Sequence, residues 1–225
     1  MREIVLDTET TGLDPRTGDR VVEIGCIELL NHIPTGETYH QYINPERAMP
    51  DEAFNVHGLS EAFLSDYPVF ADVADAFLEF VGDAKLVIHN AVFDLKFLNA
   101  ELERLDHPAI PMARAIDTVQ MARQRFPGAQ ASLDALCRRF EIDNSSREKH
   151  GALLDADLLA LVYLELIGGR QPGLELATQS RASSVQTRKV ERPMRPARPH
   201  APAPDEEAAH AAMLEKLSGA IWLRD

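Results

Sequence analysis

Five side chains in this sequence could together hold a divalent cation and move a proton. Asp7 and Glu9 stand two apart at the end of an apolar run that opens at Ile4 and closes in the turn Gly12-Leu13-Asp14-Pro15. Side chains alternate along a strand, so the two carboxylates project from one face and converge. Like charges that close call for a partner, and a hard divalent cation such as Mg2+ or Mn2+ takes oxygen ligands of this kind. Taken alone, the pair reads as readily as solvated strand-end charge. Asp94 and Asp155 each fall near the start of a helix-patterned stretch, where the helix dipole by itself favours an acid. His150 lies five residues before Asp155. An imidazole that titrates near neutrality can serve as a general base, though a lone histidine ahead of a helix is as readily a cap.

The elements that must position these groups follow from periodicity and turn residues. Val21 to Leu30 is a long apolar run and reads as a second strand. Gly36 to Ile43 alternates after a Pro34-Thr35-Gly36 turn and reads as a third strand paired with it. Asn55-Val56-His57-Gly58 reads as a surface loop or short helix. From Val69 to Val81 apolar residues recur at helical spacing and Gly82 supplies a stop. Lys85 to His89 reads as a fourth strand, and Asn90 as the cap of a helix through Leu102 that places Asp94 in its first turn. A helix begins at Ile116-Asp117 and another after Ser132; a polar loop, 143–149, precedes the helix that carries Asp155 to Ile167, ended by Gly168-Gly169. Paired strands followed by β-α-β alternation predict an α/β domain, a mixed central sheet flanked by helices.

Composition bounds the rest. The chain has 225 residues, 45% of them hydrophobic, and no run approaches the ~18 apolar residues of a membrane span. A cytoplasmic protein is the expectation. Cys26 and Cys137, the two cysteines, are too few for a disulfide framework or a zinc site and read as buried hydrophobes. The net charge of −13 excludes a general electrostatic DNA binder. Its distribution is uneven: residues 1–168 hold 14 basic and 29 acidic residues, whereas 169–204 hold 7 and 2. An acidic domain can still act on a polyanion when bound cations supply the positive charge at the contact. Residues 177–204, rich in Ser, Arg and Pro with almost no large apolar residue, read as a disordered linker. Asp205-Glu206-Glu207 then opens a short amphipathic helix, followed by Trp222 between Ile221 and Leu223, too short a segment to bury the indole alone; that pattern belongs to interfaces.

The combination resembles the exonuclease family with an Asp-Glu-Asp-Asp carboxylate set and a histidine (DEDDh), in its proofreading branch. Three segments carry the likeness in the family's order: Asp7-Thr8-Glu9-Thr10-Thr11-Gly12, His89-Asn90-Ala91-Val92-Phe93-Asp94 and His150-Gly151-Ala152-Leu153-Leu154-Asp155. It extends over Asn55 to Gly58, Ser132 to Cys137 and the acidic-to-Trp tail, hence over most of the chain except the linker. The resemblance implies a ribonuclease H-like fold and a 3′–5′ exonuclease that proofreads DNA synthesis and releases nucleoside monophosphates. It implies two Mg2+ or Mn2+ ions, about 3.5–4 Å apart, that clamp the scissile phosphate. Asp7 would bridge them, Glu9, Asp94 and Asp155 would complete the ligand set, and His150 would take the proton from the attacking water. The Thr8, Thr10 and Thr11 backbone with Val56, His57, Asn90 and Phe93 would surround the 3′-terminal nucleotides, through contacts tolerant of base identity.

The same resemblance divides the chain into an exonuclease domain (1–169), a sliding-clamp-binding peptide (170–176), the linker (177–204) and a polymerase-binding segment (205–225). Gln171-Pro172-Gly173-Leu174-Glu175-Leu176 matches the short clamp-binding form Q-x-x-L-x-(L/F), with Gln171, Leu174 and Leu176 as its anchors. The tail would dock on the polymerase (alpha) subunit through Trp222, and a small theta-like subunit is a further partner of such proteins. The substrate would be a single-stranded or frayed DNA 3′ end, the duplex being held by a basic partner. Two other readings stay open at this point: a related 3′-exonuclease acting on RNA, and a non-catalytic tether between clamp and polymerase.

Overall fold

The computed structural model describes residues 1–145, 149–169 and 201–216. The chain divides into two units, Met1–Glu175 and Leu176–Asp225. In the first, a five-stranded sheet has the order β3-β2-β1-β4-β5, formed by β1 (Arg2–Thr10), β2 (Val21–Leu30), β3 (Ile33–Tyr42), β4 (Lys85–Ile88) and β5 (Ala115–Asp117). β1, β2 and β3 pair antiparallel, whereas β4 and β5 lie parallel to β1. The expected mixed sheet is therefore present, with one strand more than the sequence pattern indicates. Its helices are α1 (Asp51–His57), α2 (Glu61–Leu64), α3 (Phe70–Val81), α4 (Ala91–Glu103), α5 (Thr118–Arg125), α6 (Leu133–Arg139) and α7 (Ala152–Leu166).

Strand alternation sorts the core into two layers. Ile4 and Leu6 of β1, with Leu86 and Ile88 of β4, pack on Phe70, Phe77 and Phe97 from α3 and α4. Val5 and Val87, from the same strands, face Leu136, Leu159 and Val162 of α6 and α7. A strand covered on both faces must be apolar at every position, which is why β1 and β4 read as unbroken hydrophobic runs. Full burial of each such Leu or Ile contributes about 1.5–3 kcal/mol. Cys26 and Cys137 are buried and free, in line with their reading as small hydrophobes.

Two local expectations are corrected and one is resolved. The β2–β3 turn is not at Pro34 to Gly36 but at Asn31 and His32, both with positive φ (52° and 68°), the geometry of a tight two-residue hairpin. Pro34 and Gly36 lie inside β3, an edge strand where a missing N–H and a flexible residue are tolerated. Of the two readings of Asn55 to His57 the short helix holds: they end α1, closed by Gly58 in the left-handed conformation. Ile116 and Asp117 end β5, and Asp117 caps α5 by accepting from Val119 and Gln120 N–H. A three-residue strand shows no period in sequence; its parallel pairing with β4 alone defines it.

Two polar clamps cross the layers. Glu101 of α4, buried, accepts from Arg20 Nε at 2.6 Å and Nη2 at 2.9 Å and from Arg104 Nη1 at 2.9 Å, pinning α4 to the start of β2. Glu3 of β1, also fully buried, accepts from Tyr163 Oη of α7 at 2.7 Å and pairs with His32 Nδ1 at 2.7 Å. In the second unit the described helix α8 (Pro204–Leu214) opens with Asp205, Glu206 and Glu207 in its first turn, as the acidic cluster predicts. The clamp-peptide residues Gln171, Leu174 and Leu176, the linker up to residue 200, Leu217 and Trp222 lie outside the described residues. No described helix is long and apolar enough to cross a membrane.

Removing the phenolic donor from the buried Glu3 carboxylate leaves that group under-satisfied. Tyr163→Phe is expected to lower unfolding stability by about 1–3 kcal/mol, read from urea denaturation.

Candidate active site

The carboxylates gather where the two sheet faces meet, at the C-terminal end of β1. Asp7 and Glu9 share the parity of Val5 and so belong to the α7 side, whereas Thr8 has that of Leu6 and belongs to the α4 side. Asp155, in the first turn of α7, joins Asp7 and Glu9 from one side, and Asp94, in the first turn of α4, arrives from the other. Thr8 Oγ1 donates to Asp94 Oδ1 at 2.7 Å, buried, so the strand's opposite parity ties the fourth carboxylate to the first two. All four carboxylates and His150 line one cleft of about 310 Å³, with Thr8, Phe93 and Asp134 among its other walls.

Within that cleft the ligand atoms of Glu9, His150 and Asp155 lie within 4.8 Å of one another. Glu9 and Asp155 are buried; His150 is exposed and holds Nδ1 3.2 Å from Asp155 Oδ2. Two carboxylates at such a spacing repel by about 3–4 kcal/mol at an effective dielectric near 20. Such a site takes up either protons or a cation. Carboxylate oxygens joined by one imidazole are a donor set that fits a hard or borderline divalent ion. The burial of Asp94 pushes its carboxyl up to about 7, the Thr8 hydrogen bond opposing and the Asp117 charge adding to the rise.

Packing, more than spacing, sets where Asp155 sits. Gly25 of β2 pairs with Asp7 across the ladder. A Cβ at Gly25 would stand 2.3 Å from Ala152 C and Leu153 N, so the missing side chain is what admits the first turn of α7 against the strand. The signal in sequence was a glycine inside an apolar strand, which marks close approach of another backbone. His150 is held in turn to α1: its N–H donates to Val56 O at 3.2 Å, and the neighbouring Lys149 ammonium lies 4.8 Å from the centre of the Phe54 ring. His57, buried beside this junction, accepts from Leu59 N–H at its Nδ1, 3.0 Å away. Its Nε2 is buried near the Thr10 main chain without a well-formed hydrogen bond. Burial holds its pKa below the usual histidine value, partly offset by Glu23.

The remaining substrate-contact expectations are spread around this cleft. Thr8 and Phe93 line it, although the Thr8 hydroxyl is spent on Asp94. The Thr10 and Thr11 hydroxyls shape the turn beyond β1, bonding Gly12 O at 2.7 Å and Asp19 Oδ1 at 3.3 Å. Asn90 occupies the cap position of α4 but its side chain does not cap; its φ of 70° turns it instead toward an adjoining groove. Val56 is 47% exposed beside His57. His89, Ser132 and Asp134 also line the cleft; the sequence marks Ser132 only as the cap of α6, where its side chain accepts from Ala135 N–H. His89 Nδ1 lies 2.9 Å from Thr118 Oγ1, and Asp134 accepts from Asn144 at 3.1 Å.

A mixed sheet of this order with a carboxylate-histidine cleft at the end of its central strand defines a ribonuclease H-like exonuclease. The exonuclease family model matches residues 4–163. The solved structure titled "Exonuclease X in complex with 5' overhanging duplex DNA" aligns with a TM-score of 0.57 at 24% identity, over 73% of this chain and 90% of its own. The nuclease domain of 3'hExo, a DEDDh family member bound to rAMP, aligns at 0.64 and 19% identity, over 74% and 91%. Closer in sequence are the DNA polymerase III subunit epsilon of Rickettsia conorii, 58% identical over 80% of both chains, and that of Escherichia coli K12, 43% identical over 98% of this chain and 97% of its own. The chain belongs to the exonuclease family and, within it, to the DNA polymerase III epsilon subunits. It is thus a hydrolytic enzyme, which displaces the non-catalytic tether, and the family depends on divalent metal.

Two outcomes follow for the site. Gly25→Ala is expected to force α7 off β2, costing about 1–3 kcal/mol in urea unfolding and, through a misplaced Asp155, about a hundredfold in kcat. In the metal-free protein Asp94 holds a proton to about pH 7, well above its value in the unfolded chain. Its contribution to stability is therefore present at low pH and lost as pH rises through 7, and a cation must displace that proton. Mn2+ affinity, measured by calorimetry, should rise from pH 6 to 8 with proton release, and Asp94→Asn should remove that dependence.

Proposed function

We propose that this chain removes nucleotides from the 3′ end of single-stranded or mispaired DNA, releasing nucleoside 5′-monophosphates, as the proofreading subunit of a DNA polymerase III complex. The convergence of Glu9, His150 and Asp155 within 4.8 Å, in a cleft completed by Asp7 and Asp94, is the observation that carries the reading. Asp7, Glu9, Asp94 and Asp155 would hold two ions, Mg2+ or Mn2+. When bound, these supply Lewis-acid neutralisation of the phosphate charge.

The residues divide the rest of the work. His150, oriented by Asp155, takes the proton from the water that attacks the terminal phosphorus. The P–O bond to the preceding 3′-oxygen breaks, and that oxygen ends as the hydroxyl of the shortened strand. His57 would contact the terminal nucleotide from beside the cleft; with Nδ1 accepting from Leu59, Nε2 carries the hydrogen in the neutral ring. Phe93 offers a ring face for base stacking, and the exposed Val56 adds apolar surface. Thr8, Thr10 and Thr11 set the strand end on which the terminal nucleotide rests.

The epsilon-family relatives favour DNA over the RNA alternative, since the family's members are named for DNA polymerase III. On that basis the partners are the polymerase alpha subunit through 205–225 and Trp222, and the sliding clamp through 171–176 with Gln171, Leu174 and Leu176. A theta-like subunit is a further partner, in a cytoplasmic assembly with 177–204 as its tether. The described start of the tail, α8, is exposed along its length except for a half-buried Leu214, as a helix awaiting a partner would be.

The full chain is expected to shorten single-stranded and 3′-mispaired DNA from the 3′ end only when Mg2+ or Mn2+ is added, and to prefer a DNA trinucleotide to its RNA counterpart. His150→Ala should lower kcat by about 10²–10⁴-fold. Full activity in excess chelator, or preference for RNA, sinks the reading.

A further inference from the structure

Beside the catalytic cleft runs a second groove of about 630 Å³, in the size range of small-ligand sites, roughly 300–1,000 Å³. Its walls come from the N-terminal end of α4 (Asn90, Val92), from α5 (Gln120, Arg123) and from the segment leading into α6 (Gln130). His89 and Ser132 line both the groove and the catalytic cleft, so the two spaces adjoin. The His89 to Thr118 contact at 2.9 Å, with Thr118 Oγ1 3.3 Å from Ile88 O, fixes the wall between them.

The chemistry of this groove differs from that of the cleft. Asn90, Gln120 and Gln130 are exposed amides, and Val92, 56% exposed, supplies apolar surface at the rim. Asp117 is the carboxylate among its lining residues, and it accepts from Val119 and Gln120 N–H as the cap of α5. Arg123 is exposed and makes no ion pair, hydrogen bond or ring contact with any described residue. Most cations of the domain are engaged: Arg2 with Glu28, Arg20 and Arg104 with Glu101, Arg47 with Asp19, Lys96 with Asp14. Arg114 and Arg125 bond main-chain carbonyls. In a domain with twice as many acidic as basic residues, an uncommitted guanidinium in a polar groove that adjoins the catalytic cleft is suited to a phosphate.

We propose that this groove is the track for the substrate strand upstream of its 3′ end, with Arg123 holding a backbone phosphate and the amides of Asn90, Gln120 and Gln130 bonding phosphate or sugar oxygens. The inference rests on the exonuclease reading above and names the part of the substrate the cleft itself does not reach. A length dependence is the consequence: a strand long enough to enter the groove gains a charge-assisted contact that a mononucleotide substrate lacks.

The test uses the full chain and two substrates, a ten-residue single-stranded DNA and the p-nitrophenyl ester of thymidine 5′-monophosphate, which has no upstream phosphate. Arg123→Gln is expected to lower kcat/KM on the decamer about tenfold, mainly through KM, and to leave the ester unchanged. The slope of log(kcat/KM) against log[salt] on the decamer should flatten by about 0.7, the value for one phosphate contact to a single strand. Arg123→Lys should keep that slope. Arg138, also exposed and without a partner among the described residues, does not line the groove, and Arg138→Gln should match the unaltered chain. The proposal is overturned if Arg123→Gln leaves decamer kinetics and salt slope unchanged, or if it lowers activity on both substrates alike. Failure of the unaltered chain to cleave either substrate with metal present would instead remove the exonuclease reading itself.

Discussion

Mutual repulsion of carboxylates is the constraint around which this domain is built. Asp7, Glu9, Asp94 and Asp155 share one cleft, three of them buried, and none would choose that place on its own. The scaffold must supply the force that keeps them there. It does so with apolar burial on both faces of β1 and β4, where Ile4, Val5, Leu6, Leu86, Val87 and Ile88 are fully removed from solvent. The cleft keeps its residual repulsion, and that is what makes it receptive to a divalent cation rather than to water alone.

Having ligands on both sides of the sheet follows from the same geometry. A single strand shows one parity to each face, so a cage built on its end can draw a helix from either layer. α7 brings Asp155 because Gly25 leaves room for its backbone, and α4 brings Asp94 because Glu101 and Arg20 lock it to β2. Thr8 joins the halves through Asp94. His150 is held from two sides, its ring by Asp155 of α7 and its main chain by α1, the element that also carries Val56 and His57.

Excess negative charge shapes how such a domain meets nucleic acid. With most cations committed to ion pairs, main-chain carbonyls or aromatic rings, the surface has little general affinity for a phosphate backbone. Contact concentrates where a cation is bound or where a guanidinium is free. That arrangement suits the proposed action on frayed ends, in which correctly paired duplex is not gripped.

The sequence by itself determined the class of fold and the identity of the chemical groups. The buried strands were legible because double-sided burial leaves continuous apolar runs, and the helices because their apolar residues recur at helical spacing. Asp7 and Glu9 were legible as a pair because strand parity is local. Beyond that, spacing alone was silent: nothing in residues 85–94 or 150–155 taken singly separates a cage ligand from an ordinary acid in a helix's first turn, and the three motifs had to be read together. Only the tertiary structure decided that β5 is a strand, since three residues carry no period and parallel pairing is non-local. It alone showed that the Thr8 hydroxyl serves Asp94, that Gly25 seats α7, and that His89 and Ser132 stand between the cleft and the groove that Arg123 lines. Those are contacts between elements 20 to 130 residues apart, which local propensity and periodicity do not encode.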